Sequence, residues 1–190
     1  MDLYEEFDDA LAVVTNLTFF MPPVSRQFSY VPQRDLHRHV LKERHAAFFE
    51  TVIRYLGGLL SAYALSHDPI LLARADDLGT ALLPVFDTPS GLPSYAVNPV
   101  SGKTVSGWTG GNTILSEALS CQLEYKYLAY LTGRTQYYAT VEKVMDRVYT
   151  ANFSHSRGLL PTMFSTKSGE PTARKSRELG PPRNPYRSHA

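Results

Sequence analysis

Apolar residues recur every three or four positions in five stretches of the chain, and each stretch predicts an amphipathic helix. Leu3, Phe7, Leu11, Val14 and Leu17 mark the first, over 2–17, with Glu5, Glu6, Asp8 and Asp9 placing negative charge in its first turns. Met21-Pro22-Pro23 ends it, because proline cannot donate to the helix ladder and restricts the residue before it. The second helix runs from about 46 to 66. Val52, Leu56, Leu59, Leu60 and Tyr63 form its apolar stripe, and Glu50, Arg54, Gly57 and Ser61 lie on another face. His67-Asp68-Pro69 then makes a tight turn in which Asp68 caps the next helix and Pro69 takes its first position. That helix, over 69–83, uses Leu71, Leu72, Ala75, Leu78 and Leu82. A fourth covers 113–132, with Ile114, Ala118, Cys121, Tyr125 and Leu128 on one side and Glu117, Ser120 and Glu124 on another. Thr132-Gly133-Arg134-Thr135 turns into the fifth, over 136–150.

The pattern fails in three places. Residues 24–45 carry five basic residues and His37, His39 and His45 without apolar periodicity, and read as a loop or insertion. Residues 84–112 are punctuated by Pro84, Pro89, Gly91, Pro93, Pro99, Gly102, Gly107, Gly110 and Gly111. They predict a long loop with a short hairpin, and loops of that length tend to serve function. Residues 173–190 combine five basic residues, one acidic residue and three prolines, and are predicted to be disordered.

The two long hairpins are related. The offset that superposes Ala62 on Leu128 also superposes Leu65 on Leu131, Ala73 on Ala139, Leu78 on Val144 and Leu82 on Val148. Such a period exceeds those of the common helical solenoids and suits an α/α toroid, in which hairpins circle an axis and their loops build a site at one end. The fold class expected is therefore all-α.

Composition narrows the function. The 190 residues fit one domain, and 19 Lys+Arg against 18 Asp+Glu leave a net charge of +1, which removes the case for nucleic-acid binding by bulk charge. A hydrophobic fraction of 43% with 22 aromatic residues removes global disorder. The single cysteine, Cys121, excludes an internal disulfide or a Cys-cluster zinc site. The acidic start of the sequence is unlike a signal peptide, and no stretch approaches the ~20 apolar residues of a membrane span. The sequence as it stands is expected to be soluble and to carry no export address.

Glu50 and Arg54 lie four apart, so their heads can meet on one helix face. An ordinary surface ion pair of about 0.2–0.5 kcal/mol is the plain alternative. Against it, small residues continue the same face, and Phe48, Phe49, Ile53 and Tyr55 would surround the pair with apolar bulk that disfavours a charged carboxylate. A carboxylic acid beside a sugar-sized cavity is what glycosidic bond cleavage requires. Glu117 follows Glu50 by nearly one repeat, so in a toroid both would face one cavity. Glu124, two turns later, reads as structural. His37-x-His39 with His45 lacks the helical pairing of a zinc protease, and no phosphate loop, nucleophile elbow or dinucleotide fingerprint is present.

The segment Phe49-Glu50-Thr51-Val52-Ile53-Arg54-Tyr55-Leu56-Gly57-Gly58-Leu59-Leu60-Ser61-Ala62-Tyr63 closely resembles the signature of glycoside hydrolase family 47, the class I α-1,2-mannosidases. Asp76-Asp77-Leu78-Gly79, Leu82-Leu83-Pro84-Val85-Phe86-Asp87-Thr88-Pro89, Leu115-Ser116-Glu117 and Gln122-Leu123-Glu124-Tyr125 are similar to later blocks in the same order. The resemblance covers 1–23 and about 46–172. It implies a partial (α/α)7 barrel domain over 1–172, with 173–190 as a tail foreign to the family. It also implies calcium-dependent, inverting removal of terminal α-1,2-linked mannose from high-mannose N-glycans in the endoplasmic reticulum or Golgi. By motif position, Glu50 resembles the catalytic acid, and Arg54 and Glu117 resemble sugar-site residues. The family's later glutamates, including its second catalytic carboxylate, and its calcium-binding threonine have no counterpart. The chain is thus expected to be partial and inactive alone. Two other readings stand beside it: a non-catalytic glycan-binding relative of endoplasmic-reticulum quality control, and a helical scaffold without a sugar site.

Overall fold

The structure, a computed structural model, describes residues 4–17, 19, 45–151 and 160–172. The segment 24–45, apart from His45, and the tail 173–190 lie outside the described residues, as do His37 and His39.

Helix α1 (Tyr4–Asn16) forms as predicted but lies on the outside and buries no residue fully. Of its apolar stripe, Leu11 and Val14 pack against the core, while Phe7 and Leu17 stay exposed. Its end is tied down by Arg74, whose Nη2 donates to the Thr15 carbonyl at 2.8 Å.

The next unit opens with strand β1 (Ala46–Ala47) and continues into helix α2, residues 48–66. The predicted helix start at 46 is corrected because both alanines pair in a sheet, Ala46 with Val97 and Ala47 with Ala96. Within α2 the segment Val52–Leu56 is a π turn between two α-helical stretches, Phe48–Thr51 and Gly57–Ser66. Val52, Leu56, Leu59 and Leu60 are buried, as the stripe predicts. His67 ends α2 in the left-handed region at φ 57°, and Asp68 Oδ1 accepts the Ile70 N–H at 2.9 Å to start α3 (Pro69–Leu82). A 3₁₀ turn, Leu83–Phe86, leads into the loop, which contains the predicted hairpin as β2 (Ala96–Val97) and β3 (Thr104–Val105).

The second unit repeats this plan as β4 (Asn112–Ile114), α4 (Leu115–Leu119), α5 (Gln122–Thr132), α6 (Thr135–Thr150) and β5 (Met163–Ser165). The single helix predicted over 113–132 therefore starts later, at Leu115, and is interrupted once. Its first residues are drawn into pairing with β5, and the backbone breaks at Ser120–Cys121.

The repeat is deeper than the sequence suggests. Ala46 pairs with Val97 as Thr113 pairs with Phe164, and the same offset carries each residue of the first pair onto its counterpart in the second. The Phe48 N–H donates to the Tyr95 carbonyl at 2.9 Å, and Leu115 to Thr162 at the same distance. Gly102 (φ 70°) and Gly169 (φ 76°) close matching turns, each donating to the first turn residue, Asn98 or Ser165. Each returning loop thus pairs with its own unit's entry strand.

The units meet through a run of aromatic rings. Phe48 and Phe86 stand 5.1 Å apart edge to face, Phe86 and Tyr125 5.9 Å, and Tyr125 and Tyr137 5.7 Å. The Tyr125 hydroxyl donates to the Gly79 carbonyl at 3.0 Å, and Tyr137 reaches Asp76 Oδ1 at 2.6 Å. Among the described residues no helix is long and apolar enough to cross a membrane.

Gly79 permits this approach, since a Cβ there would lie 2.5 Å from Leu128 Cδ2, on a fully buried side chain that would have to shift. Overpacking of this kind costs about 1–3 kcal/mol, against a helix-propensity gain near 1 kcal/mol for replacing glycine. Thermal denaturation should therefore show Gly79→Ala lowering the melting temperature. Gly58→Ala, at an exposed position with nothing within 4 Å, should raise it.

Candidate active site

Each unit places one glutamate in the first turn after its entry strand, Glu50 in α2 and Glu117 in α4, at matching positions of the repeat. The strand pairing fixes where each helix begins, and so fixes the height at which each carboxyl leaves the backbone. Arg54 follows Glu50 by four residues, and its Nε meets Glu50 Oε2 at 2.5 Å. That contact holds the Arg54 proton more tightly than usual, first through the hydrogen bond to Glu50 and then through its charge.

The pair is open to solvent, with the side chains of Arg54 and Glu50 69% and 48% exposed. The apolar enclosure expected from the sequence is corrected here. Phe48 turns into the core and Phe49 is half-buried, but Ile53 and Tyr55 are 39% and 60% exposed. Val52 and Leu56 occupy the core-facing side of the helix, so the three residues between them face outward. Gly58 and Ser61 continue the exposed face, whereas Gly57, expected on the same face, is half-buried.

Glu117 behaves differently. It is half-buried against a notch lined by Phe48, Phe49, Pro93, Ser94, Tyr95 and Thr113. The notch measures about 10 Å³, the room of a single water molecule rather than the sugar-sized cavity expected from the sequence. Burial first, and the neighbouring charge of Glu50 second, push the Glu117 carboxyl above the usual carboxylate range. The charge of Glu50 thus reaches Glu117 across the units, but Glu50 does not line the notch, so the single cavity expected to hold both acids is not formed there. The lining residues Ser94 and Tyr95 escape sequence reasoning because the loop 84–112 carries no periodicity to say which of its residues turn inward, and Thr113 because it lies in β4 rather than in the predicted helix.

Glu124, structural by its place in the sequence, has surroundings unusual for a carboxyl. Its Oε2 is buried without a hydrogen-bond partner, and its Oε1 would lie 3.6 Å from a Cβ at Gly57. Burial raises its proton affinity too. Cys121 is fully buried with its thiol on the Ala118 carbonyl, and burial pushes it up to about 12, which makes it inert.

Calcium requires six to eight oxygen ligands. Among the described residues no group of three or more His, Cys, Asp or Glu side chains converges as a metal site would.

Both units thus carry an acid just past the entry strand with which their own loop pairs. The chain belongs to glycosyl hydrolase family 47, whose profile matches residues 1–184. It is 38% identical over 136 residues to mannosyl-oligosaccharide alpha-1,2-mannosidase IA of Spodoptera frugiperda, covering 70% of this chain and 20% of that protein. It is 40% identical over 132 residues to the human endoplasmic reticulum mannosyl-oligosaccharide 1,2-alpha-mannosidase, covering 69% and 19%. The fold matches alpha-1,2-mannosidase from Trichoderma reesei with a TM-score of 0.67 at 29% identity, over 88% of this chain and 34% of that one. The hairpins are thus part of an (α/α)7 barrel. The chain spans about a fifth of the length of the curated relatives it matches.

The raised proton affinities of Glu117 and Glu124 carry a pH signature. The folded chain holds these protons more tightly than the unfolded chain, so the contribution is full below the ordinary glutamate range, about 4.3, and is lost as pH rises through the raised values. Glu124→Gln should raise the melting temperature at pH 7 and raise it less at pH 4, as read by thermal denaturation at the two pH values.

Proposed function

We propose that these units supply the acid-bearing part of an α-1,2-mannosidase site that acts on terminal α-1,2-linked mannose of high-mannose N-glycans in the secretory pathway. The observation that carries this reading is the shared register of Glu50 and Glu117, with Arg54 bonded to the first acid. Glu50 is the group that delivers a proton to the leaving glycosidic oxygen. Arg54 orients that carboxyl and offers its remaining N–H donors to sugar hydroxyls. Glu117 accepts a hydrogen bond from a hydroxyl of the bound mannose.

Inverting hydrolysis also needs a second carboxylate that activates water from the opposite face, with the two carboxyl groups about 6.5–9.5 Å apart. In the family reading that group and the calcium site belong to segments that these residues do not supply. Losing general base action costs about 10²–10⁴ in rate. The chain by itself should therefore release mannose from a nine-mannose N-glycan at least about 10²-fold more slowly than a full-length relative. Release at the full rate would overturn this assignment of roles.

Sugar binding tests the site directly. Titration with α-1,2-mannobiose, followed by NMR or calorimetry, should show that Arg54→Ala and Glu117→Gln each weaken binding by about tenfold or more. Hydrogen bonds to charged groups contribute about 1.5–3 kcal/mol. Glu142→Gln, on α6 in an ion pair with Lys126, is the control and should leave binding unchanged. Equal affinity in all variants would remove the sugar site and leave the helical scaffold reading.

A further inference from the structure

The two units agree to the residue at their entrances and disagree by one residue at their far ends. Strand pairing, helix start and acid all repeat at one common spacing, that from Glu50 to Glu117. The left-handed turn residues that end the long helices, His67 (φ 57°) and Gly133 (φ 71°), repeat at a spacing one shorter, and so do the caps that follow, Asp68 and Arg134. Between Glu50 and His67 the first unit therefore holds one residue more than the second does between Glu117 and Gly133. The π turn Val52–Leu56 lies within that interval, and the Gly57 N–H reaches back five residues to the Val52 carbonyl. A π turn accommodates one added residue while the helix on either side keeps its packing phase, and such turns concentrate at functional sites. The core shows that phase retained, with Val52 and Leu56 fully buried at the ends of the turn and Leu59 and Leu60 buried beyond it.

The added residue changes what faces outward. Ile53, Arg54 and Tyr55 are three consecutive exposed residues on a helix packed against a core. At the corresponding place in the second unit, Leu119 and Ser120 are half-buried and Cys121 is fully buried. Tyr55 stands out among them. The residue is 60% exposed beside the Arg54–Glu50 pair, whereas Tyr125 and Tyr137 are buried and hydrogen-bonded. Its phenol acts on the Arg54 guanidinium in the same direction as Glu50 does, which places it within electrostatic reach of the pair. A tyrosine offers a flat apolar face and a polar tip, the combination that suits a pyranose, with C–H bonds on one face and hydroxyls at its rim.

We propose that the π turn is a one-residue insertion that presents Tyr55 as a sugar-contact residue beside Arg54, with its ring face against a mannose and its hydroxyl at the sugar's edge. This rests on the sugar-site reading above. The ring, more than the hydroxyl, supplies the contact.

The test uses the full chain and α-1,2-mannobiose as the probe. Tyr55→Ala should weaken binding by about 2- to 12-fold, the span that aromatic contact energies imply, and Tyr55→Phe should retain most of the affinity. Tyr130→Ala, at an 81% exposed tyrosine on α5, serves as the surface control and should bind as the unaltered chain does. Because Tyr55 is exposed, melting temperatures of these variants should match the parent, which separates lost contact from lost folding. Unchanged binding in Tyr55→Ala together with weakened binding in Arg54→Ala would overturn the role of Tyr55 and leave the site intact. Absence of binding by the unaltered chain, or no effect of Arg54→Ala, would overturn the site reading and this inference with it.

Discussion

The close approach of the two hairpins at Gly79 is the constraint on which the rest depends. A side chain at that position would collide with Leu128, so only hydrogen lets α3 and α5 come near enough for the Tyr125 hydroxyl to reach a helix carbonyl. Once they do, Phe48, Phe86, Tyr125 and Tyr137 form a continuous run of edge-to-face contacts through the interface. Phe48 is the first helical residue after β1, two positions before Glu50. The packing that joins the units is thus the packing that fixes the first acid relative to the second.

Much of this is legible from periodicity. The buried stripes of α2, α3 and α5 are the ones the spacing predicts, because a helix packed on one side must repeat its apolar residues every three or four positions. The cap at Asp68 is equally readable, since a short acceptor before proline has few other uses. What cannot be read is set by contacts distant in sequence. Ala46–Ala47 and Asn112–Ile114 are strands only because loops much further along the chain return to pair with them. The interruption at Ser120–Cys121 likewise has no local breaker.

The site divides along the same line. That Glu50 and Arg54 meet follows from helical spacing, and that Glu117 takes the matching position in the second unit follows from the repeat. The degree of enclosure does not follow. Four apolar neighbours in sequence suggest a wrapped acid, yet successive helix residues point in different directions, and two of the four face water. The notch beside Glu117 is walled by the Pro/Gly-rich loop, where side-chain direction depends on turns that no period encodes. The one-residue offset between the units is also hidden, because the shift that aligns the helices is one short of the shift that aligns the strands and the acids.

The pairing of each entry strand with its own unit's returning loop bears on how the chain acquires its shape. The hydrogen bond from Phe48 to Tyr95, and its twin from Leu115 to Thr162, close long rings of chain. The entropy of closing such a ring must be met before the contact can form, so these bonds belong late in the folding of each unit, after its local helices. Neither acid has a settled position until its whole unit has been made. During synthesis the first hairpin would finish only once the chain has emerged past Val97, and its partner only past Phe164.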